Sequence, residues 1–126
     1  MSLKISMRVK SLQRRFNEGE CNAVKVLREM GLRILSRNRK INGVEIDIIA
    51  RYYFQNEWHL TFLEVKQIRR KHFQAGYPVL SSRQRERYQK AAKAMIGLND
   101  KLLNLHCGLI VMDELGQLIM FNPFEM

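Results

Sequence analysis

The stretches Gly43-Val44-Glu45-Ile46-Asp47-Ile48-Ile49-Ala50 and Leu60-Thr61-Phe62-Leu63-Glu64-Val65-Lys66 decide how this chain folds. Both read as strands, and Gln55-Asn56-Glu57 between them reads as a hairpin tip. Side chains alternate along a strand, so Glu64 and Lys66 project together while Val65 points away. By the same rule Glu45 and Asp47 share one face, and Val44, Ile46, Ile48 and Ala50 share the other. Leu60 and Phe62 lie on the face of Glu64, which is therefore apolar until its charged end, and the polar cluster is expected at a rim. If the strands pair, two carboxylates and an ammonium converge. Such a group can hold a hard divalent cation beside a polarised water.

Working outward, residues 11–30 form an expected helix that stops at Gly31, with the apolar stripe Phe16, Ala23, Leu27, Met30. Glu20 falls on that stripe, where a carboxylate needs a partner because unpaired burial is costly. A place at the stripe's edge beside an Arg would meet the same need. Residues 32–36 read as a short strand, and residues 37–40 as a basic turn leading through Asn42-Gly43. Asn38 suits a turn. On the other side, residues 67–80 read as a loop with the basic run Arg69-Arg70-Lys71-His72 and the turn signal Gly76-Tyr77-Pro78. This loop is either a phosphate clamp or a solvated surface.

A second helix is expected from residue 81 to about residue 96, before Gly97, with Gln84, Tyr88, Ala91, Ala92 and Met95 inward. Arg83, Arg85, Arg87, Lys90 and Lys93 then face outward. Ser81-x-x-Gln84 fits a capping box. Alternatively, Gln84 and Tyr88, four apart on one face, point toward the acidic centre. After a connector over 99–104, residues 107–112 and 117–121 read as a hairpin around Asp113-Glu114-Leu115-Gly116, closed by Asn122-Pro123. The order αβββαββ makes an α/β fold, a mixed sheet with helices packed on it.

With 126 residues, 46% hydrophobic, the chain suits one domain over residues 1–126. It has no internal repeat and no Pro- or Gly-rich linker. No apolar run reaches membrane-span length, and the start Met1-Ser2-Leu3-Lys4 lacks a secretory core, so no membrane partner is expected. Two cysteines, Cys21 and Cys107, make neither a disulfide framework nor a zinc knuckle, and the cytoplasm is the expected compartment. His59, His72 and His106 lack metal-ligand spacing and read as structural or surface residues. Lys and Arg number 22 against 12 acids, a net charge of +10. Basic residues concentrate over 4–15, 33–40 and 69–93 while acids mark the candidate centre. A basic surface around a small acidic centre suits a polyanion, although a solvated basic domain would look similar.

Several pieces in order resemble a known family. They are Gly19-Glu20-x-x-Ala23 with Leu27 and Gly31, then Ile34-Leu35-x-Arg37-Asn38, then Glu45-Ile46-Asp47-Ile48-Ile49-Ala50. Phe62-Leu63-Glu64-Val65-Lys66, the helix from Gln84 to Ala92 and Phe121-Asn122-Pro123-Phe124 follow. Together they resemble the YraN-like family of the restriction-endonuclease-like PD-(D/E)xK superfamily, related to Holliday-junction resolvases. Gln84-x-x-x-Tyr88 is similar to the QxxxY motif of RecB-type nucleases. The chain departs from the family at Val44, which intervenes after Gly43, at Ile68 in place of an Arg, at Gln84 in place of a Lys, and at Cys107-Gly108-Leu109 in place of Arg-Phe-Asp.

The resemblance implies an αβββαβ core and Mg²⁺- or Mn²⁺-assisted phosphodiester hydrolysis. It makes Asp47, Glu64 and the Val65 carbonyl metal ligands, Lys66 the group that orients water or stabilises charge, and Glu20 an outer acid. Gln84 and Tyr88 would position phosphate, with Arg39, Arg69, Arg70 and Lys71 as further nucleic-acid contacts and Glu45 a supporting acid. DNA stands ahead of RNA as substrate, with branched or junction DNA in view and a homodimer open. A non-catalytic nucleic-acid-binding module, or an interaction subunit of a DNA-processing assembly, would be the other outcomes.

Overall fold

The computed structural model describes residues 19–74, 78–96 and 104–123. A helix over residues 19–29 (α1) leads into strands β1 (Arg33–Ile41), β2 (Val44–Phe54) and β3 (Glu57–Gln67). A short 3₁₀ turn, Arg70–His72, precedes helix α2 (Ser82–Ile96), and β4 (Asn104–Met112) and β5 (Leu118–Asn122) close the chain. This is the expected order αβββαββ, and its αβββαβ core is the one the family resemblance implies. The five strands form one mixed sheet in the order β1-β2-β3-β4-β5, antiparallel except for β3 and β4. Parallel neighbours need a long crossover, and α2 lies within it. Among the described residues no helix is long and apolar enough to cross a membrane.

Local chemistry sets the ends of the elements. Gly31, at φ +93°, ends α1 in a Schellman motif: its N–H donates to Arg28 O, and the Leu32 N–H donates to Leu27 O. The hairpin tips Asn42-Gly43 and Gln55-Asn56 have positive φ at both residues, the conformation that matches strand twist in a two-residue loop.

Among the described residues one helix packs on each sheet face. Ala23, Val24 and Leu27 of α1 pack with Ile48, Ala50, Leu63, Ile110 and Met112. Tyr88, Ala91 and Ala92 of α2 pack with Val44, Ile46, Ile49, Leu60, Phe62, Cys107, Leu109 and Val111. The expected single apolar face of β2 is thereby corrected. Val44 and Ile46 face α2, whereas Ile48 and Ala50 face α1. The switch falls at Asp47, across from Asn38, which holds a left-handed φ of 52° inside β1. Asn tolerates that conformation, and one such residue breaks the period-two alternation of a ladder.

Four further expectations are corrected. Residues 37–40 are strand, paired with β2, because the Asn42-Gly43 tip supplies the reversal. Asn104 to His106, placed before the fourth strand, belong to β4 and pair with β3. Met30 is 47% exposed while Val24 is buried, because the Schellman turn carries the chain off the helix axis after Glu29. Arg85 is half-buried rather than outward-facing, with its charge felt at Cys107. Phe16, Gly76, Tyr77, Gly97 and most of the 99–104 connector lie outside the described residues.

The β4–β5 turn is organised by Asp113, only 1% exposed. Its Oδ1 accepts the N–H groups of Leu115 and Gln117 at 2.9 and 2.8 Å. Its Oδ2 accepts Arg70 Nε at 3.0 Å, and the second Arg70 contact is 2.9 Å. The Gln117 amide first, then Arg70 and the Leu115 amide, hold this carboxyl below the usual carboxylate range against the opposing effect of burial. A lowered folded value means that the unfolded chain takes up the proton first. The stabilisation is present above the unfolded pKa of about 3.9 and is lost as pH falls through the folded value. Asp113→Asn is expected to lower the melting midpoint at about pH 7 and to flatten its decline with acid. Melting curves over a pH series check both, and an unchanged midpoint would remove Asp113 from this role.

Candidate active site

The β2–β3 ladder runs from the Phe54–Glu57 pair down to Ile48–Leu63 and closes there. Below it β2 continues with β1 as far as the Ile41–Val44 pair, and β3 continues with β4 as far as Gln67–Met112. The sheet therefore forks where Asp47 and Glu64 would have formed the next rung. Asp47 spans the opening: its Oδ2 accepts the Val65 N–H at 2.8 Å. A strand residue presents its N–H and C=O to the same side. With its N–H turned toward Asp47, Val65 also turns its carbonyl toward the fork.

Glu64 and Lys66 follow Leu60 and Phe62 on the α2 face of β3 and are half-buried at its end. Tyr88 enters from α2, fully buried and edge-on to Phe62 at 6.4 Å. Its hydroxyl is hydrogen-bonded to the Asp47 backbone and to the Gln84 side chain. Both readings of Gln84 are thus partly realised. Its backbone N–H donates to Ser81 Oγ at 3.1 Å, which is half of a capping box. Its side chain serves Tyr88 instead of completing the box.

From the other face α1 supplies Glu20, half-buried, whose Oε2 accepts Asn38 Nδ2 at 2.8 Å. The partner that Glu20 needed is thus an amide rather than an Arg. Asn38, read as a turn former, is the residue whose role was missed. Its signal was its place in the Arg37-Asn38 piece of the family pattern.

The acids are electrostatically coupled. Burial pushes the Asp47 carboxyl up from 3.8 to about 6, helped by the charges of Glu20, Glu64 and Glu45 and opposed by the Val65 N–H. Burial, then the charges of Asp47 and Glu64, raises the Tyr88 hydroxyl well above its usual range. Asp47 Oδ1 accepts no hydrogen bond among the described residues. Among the described residues no three His, Cys, Asp or Glu side chains are placed to hold one metal ion together.

The basic candidates sit around this centre. Arg39 is exposed on edge strand β1, and Arg69 and Lys71 are exposed beyond β3. The Arg70 guanidinium is tied to Asp113 and reaches Leu118 O at 3.4 Å, so a phosphate would compete with an internal ion pair. His59 and His106 bond to each other at 3.0 Å at the opposite end of the sheet, and His59 also reaches Phe54 O at 3.2 Å. They are satisfied structural residues, as expected.

This chain is similar to several known proteins. A "UPF0102 protein" of Pseudothermotoga lettingae is 35% identical over 89 residues, covering 71% of this chain and 72% of that protein. The crystal structure of an fdxN element excision controlling factor protein from Anabaena variabilis is 13% identical. It covers 83% of this chain and 98% of its own, with a TM-score of 0.43. The model of the uncharacterised protein family UPF0102 matches residues 19–113, from the helix that carries Glu20 to the Asp113 turn. By that match, and by the identity to a curated member, this chain belongs to family UPF0102.

Proposed function

We propose that this protein is a divalent-metal-dependent nuclease that hydrolyses phosphodiester bonds in DNA, branched DNA included. The observation that carries the reading is the fork in the sheet, where Asp47 bridges two separating strands beside Glu64, Lys66 and the Val65 carbonyl. A structural ion pair alone would not gather Glu20, Glu45, Asp47 and Glu64 with one lysine on the neighbouring strand. Burial first, and then the charges of Glu20, Glu64 and Glu45, raise the Asp47 carboxyl, and a bound cation would relieve that repulsion.

The donor set suits Mg²⁺ or Mn²⁺. Mg²⁺ takes one or two carboxylates, keeps several waters and binds substrate phosphate, so it needs no closed protein cage. Asp47 Oδ1, Glu64 and the Val65 carbonyl would hold it. When bound, the ion supplies charge neutralisation at the phosphate and an acidified water. The Lys66 ammonium, two residues after Glu64 on the same face, orients the attacking water and stabilises negative charge on the scissile phosphate. Gln84 and Tyr88 fix the α2 side of the fork. Glu20, held by Asn38, contributes outer negative charge. Exposed Arg39, Arg69 and Lys71 meet the flanking backbone. Cutting both halves of a symmetric junction would take two copies of the chain.

The test is a cleavage panel of branched, duplex and single-stranded substrates with Mg²⁺ and Mn²⁺. Lys66→Ala is expected to abolish cutting while binding remains. Affinity is expected to fall roughly 10³-fold between about 50 and 200 mM salt if ~6 phosphates are contacted. Salt-sensitive binding with no cleavage by the unaltered protein would leave a non-catalytic binding module. Affinity indifferent to salt would remove nucleic acid from the account.

A further inference from the structure

The tip of the β2–β3 hairpin exposes an aromatic pair with a cation laid over it. Tyr53 and Trp58 are direct cross-strand partners, 57% and 43% exposed, with ring centroids 5.2 Å apart at 66°. The Arg51 guanidinium lies 4.8 Å above the Trp58 ring. Arg51 makes no ion pair among the described residues, and its Nε has no hydrogen-bond partner. Its charge is therefore held in place by a ring rather than by an acid. Cross-strand aromatic pairs stabilise hairpins, but that role does not require leaving both rings in water on a chain of net charge +10.

The pair lies in line with the fork. Trp58, Leu60, Phe62, Glu64 and Lys66 share one face of β3. Leu60 and Phe62 are covered by α2, and the two ends of the face are open. At about 3.3 Å per residue, Trp58 stands roughly 20 Å from Glu64. Across that interval α2 exposes Arg83, Arg87, Lys90 and Lys93.

We propose that Tyr53, Trp58 and Arg51 form a stacking platform for the unpaired bases of a single-stranded nucleic acid whose backbone runs over the basic surface of α2 toward the fork. The proposal rests on the nucleic-acid reading above and adds to it a preference for substrates with an unpaired segment. Exposed rings accept any base face, and a guanidinium beside them answers the phosphate, which is how single strands are held without sequence readout. A duplex keeps its bases stacked on one another and offers the platform nothing.

Trp58 is the chain's one tryptophan, so its fluorescence reports directly on the platform. With EDTA present to prevent cutting, a thymine-rich single strand is expected to quench Trp58 emission. A duplex of the same length should bind, by anisotropy of a labelled strand, without quenching. Trp58→Ala and Tyr53→Ser are expected to weaken single-strand binding by about tenfold and duplex binding by less than about twofold. Trp58→Phe, which keeps a stacking ring, should restore most of the affinity.

Salt-sensitive binding of both probes with no quenching, and with Trp58→Ala unchanged, would overturn the platform and spare the nucleic-acid reading. Failure of the unaltered protein to bind either probe would overturn both. A blue shift of Trp58 on phosphatidylserine vesicles, without quenching by the strand, would reassign the tip to a membrane surface and overturn the proposal.

Discussion

Asp47→Asn is expected to make the metal-free protein more stable and to remove the proposed metal-dependent cleavage in the same step. The Asn side-chain oxygen can still accept the Val65 N–H, so the bridge across the fork survives. What disappears is a half-buried charge facing Glu20, Glu64 and Glu45. An acid whose folded pKa is raised binds its proton more tightly when folded. Stability therefore falls as pH climbs from the unfolded value near 3.8 through about 6, and the full cost is present above that. A rise of that size corresponds to about 3 kcal/mol at most. Contact of the carboxyl with water reduces the figure to the order of 1–2 kcal/mol.

The variant should melt several degrees higher at about pH 7.5, and its advantage should vanish below about pH 4. Mn²⁺ should raise the melting midpoint of the unaltered protein by about 2.7 kcal/mol equivalent at a hundred times its dissociation constant. It should leave the variant unmoved. Cleavage should fall by more than about a hundredfold, since loss of merely an outer partner of a metal ligand can cost up to that much. Retained cleavage, or an equal response of both proteins to Mn²⁺, would show that Asp47 holds no ion.

Gly108→Ala in β4 should be strongly destabilising. An added Cβ would meet the Asn122 carbonyl oxygen, and would lie 2.6 Å from Pro123 Cα and 2.8 Å from Pro123 C. All three are backbone atoms, so no side chain can swing aside. Thr61 Oγ1 donates to Pro123 O at 3.0 Å and pins the same segment against β3. Relief would require moving the end of β5 or bending a central strand, a cost of about 3 kcal/mol. The melting midpoint should drop on the order of 10 °C. Because the clash is with the end of β5, the Mn²⁺ response at the fork should persist in whatever fraction remains folded. A midpoint within a degree or so of the unaltered protein would mean that the β5 end yields freely.

Much of this arrangement was legible in the residues. Gly31 announced the end of α1, Gln55-Asn56-Glu57 announced the β2–β3 reversal, and Ser81 announced the start of α2. These are local signals, because a left-handed φ or an N-cap hydrogen bond is decided within a few residues. The first reversal, by contrast, was read at residues 37–40 and lies at Asn42-Gly43. The acids at the ends of two apolar strands marked the centre, and Gln84, read either as a capping residue or as pointing with Tyr88 toward that centre, does part of both. Other features depended on distant partners. Arg70 looked free for phosphate until the turn at Asp113 claimed it. Arg85 looked outward until the helix settled with that side chain half-buried near Cys107. Ile48 and Ala50 were assigned to the face of Ile46, because the two-residue rule assumes uniform extended backbone and Asn38, across the ladder, breaks it.

By itself the sequence determined the order of elements, the helix ends at Gly31 and Ser81, and which strand ends carry charge, since hydrophobic period and backbone preference act over short range. Only the tertiary structure decided that β2 and β3 part company at Asp47, that Asp47 feels the charges of acids on α1, β2 and β3, and that burial raises the Asp47 carboxyl to about 6. Those outcomes depend on which surfaces exclude water together, and residues far apart in the chain settle that only when they pack.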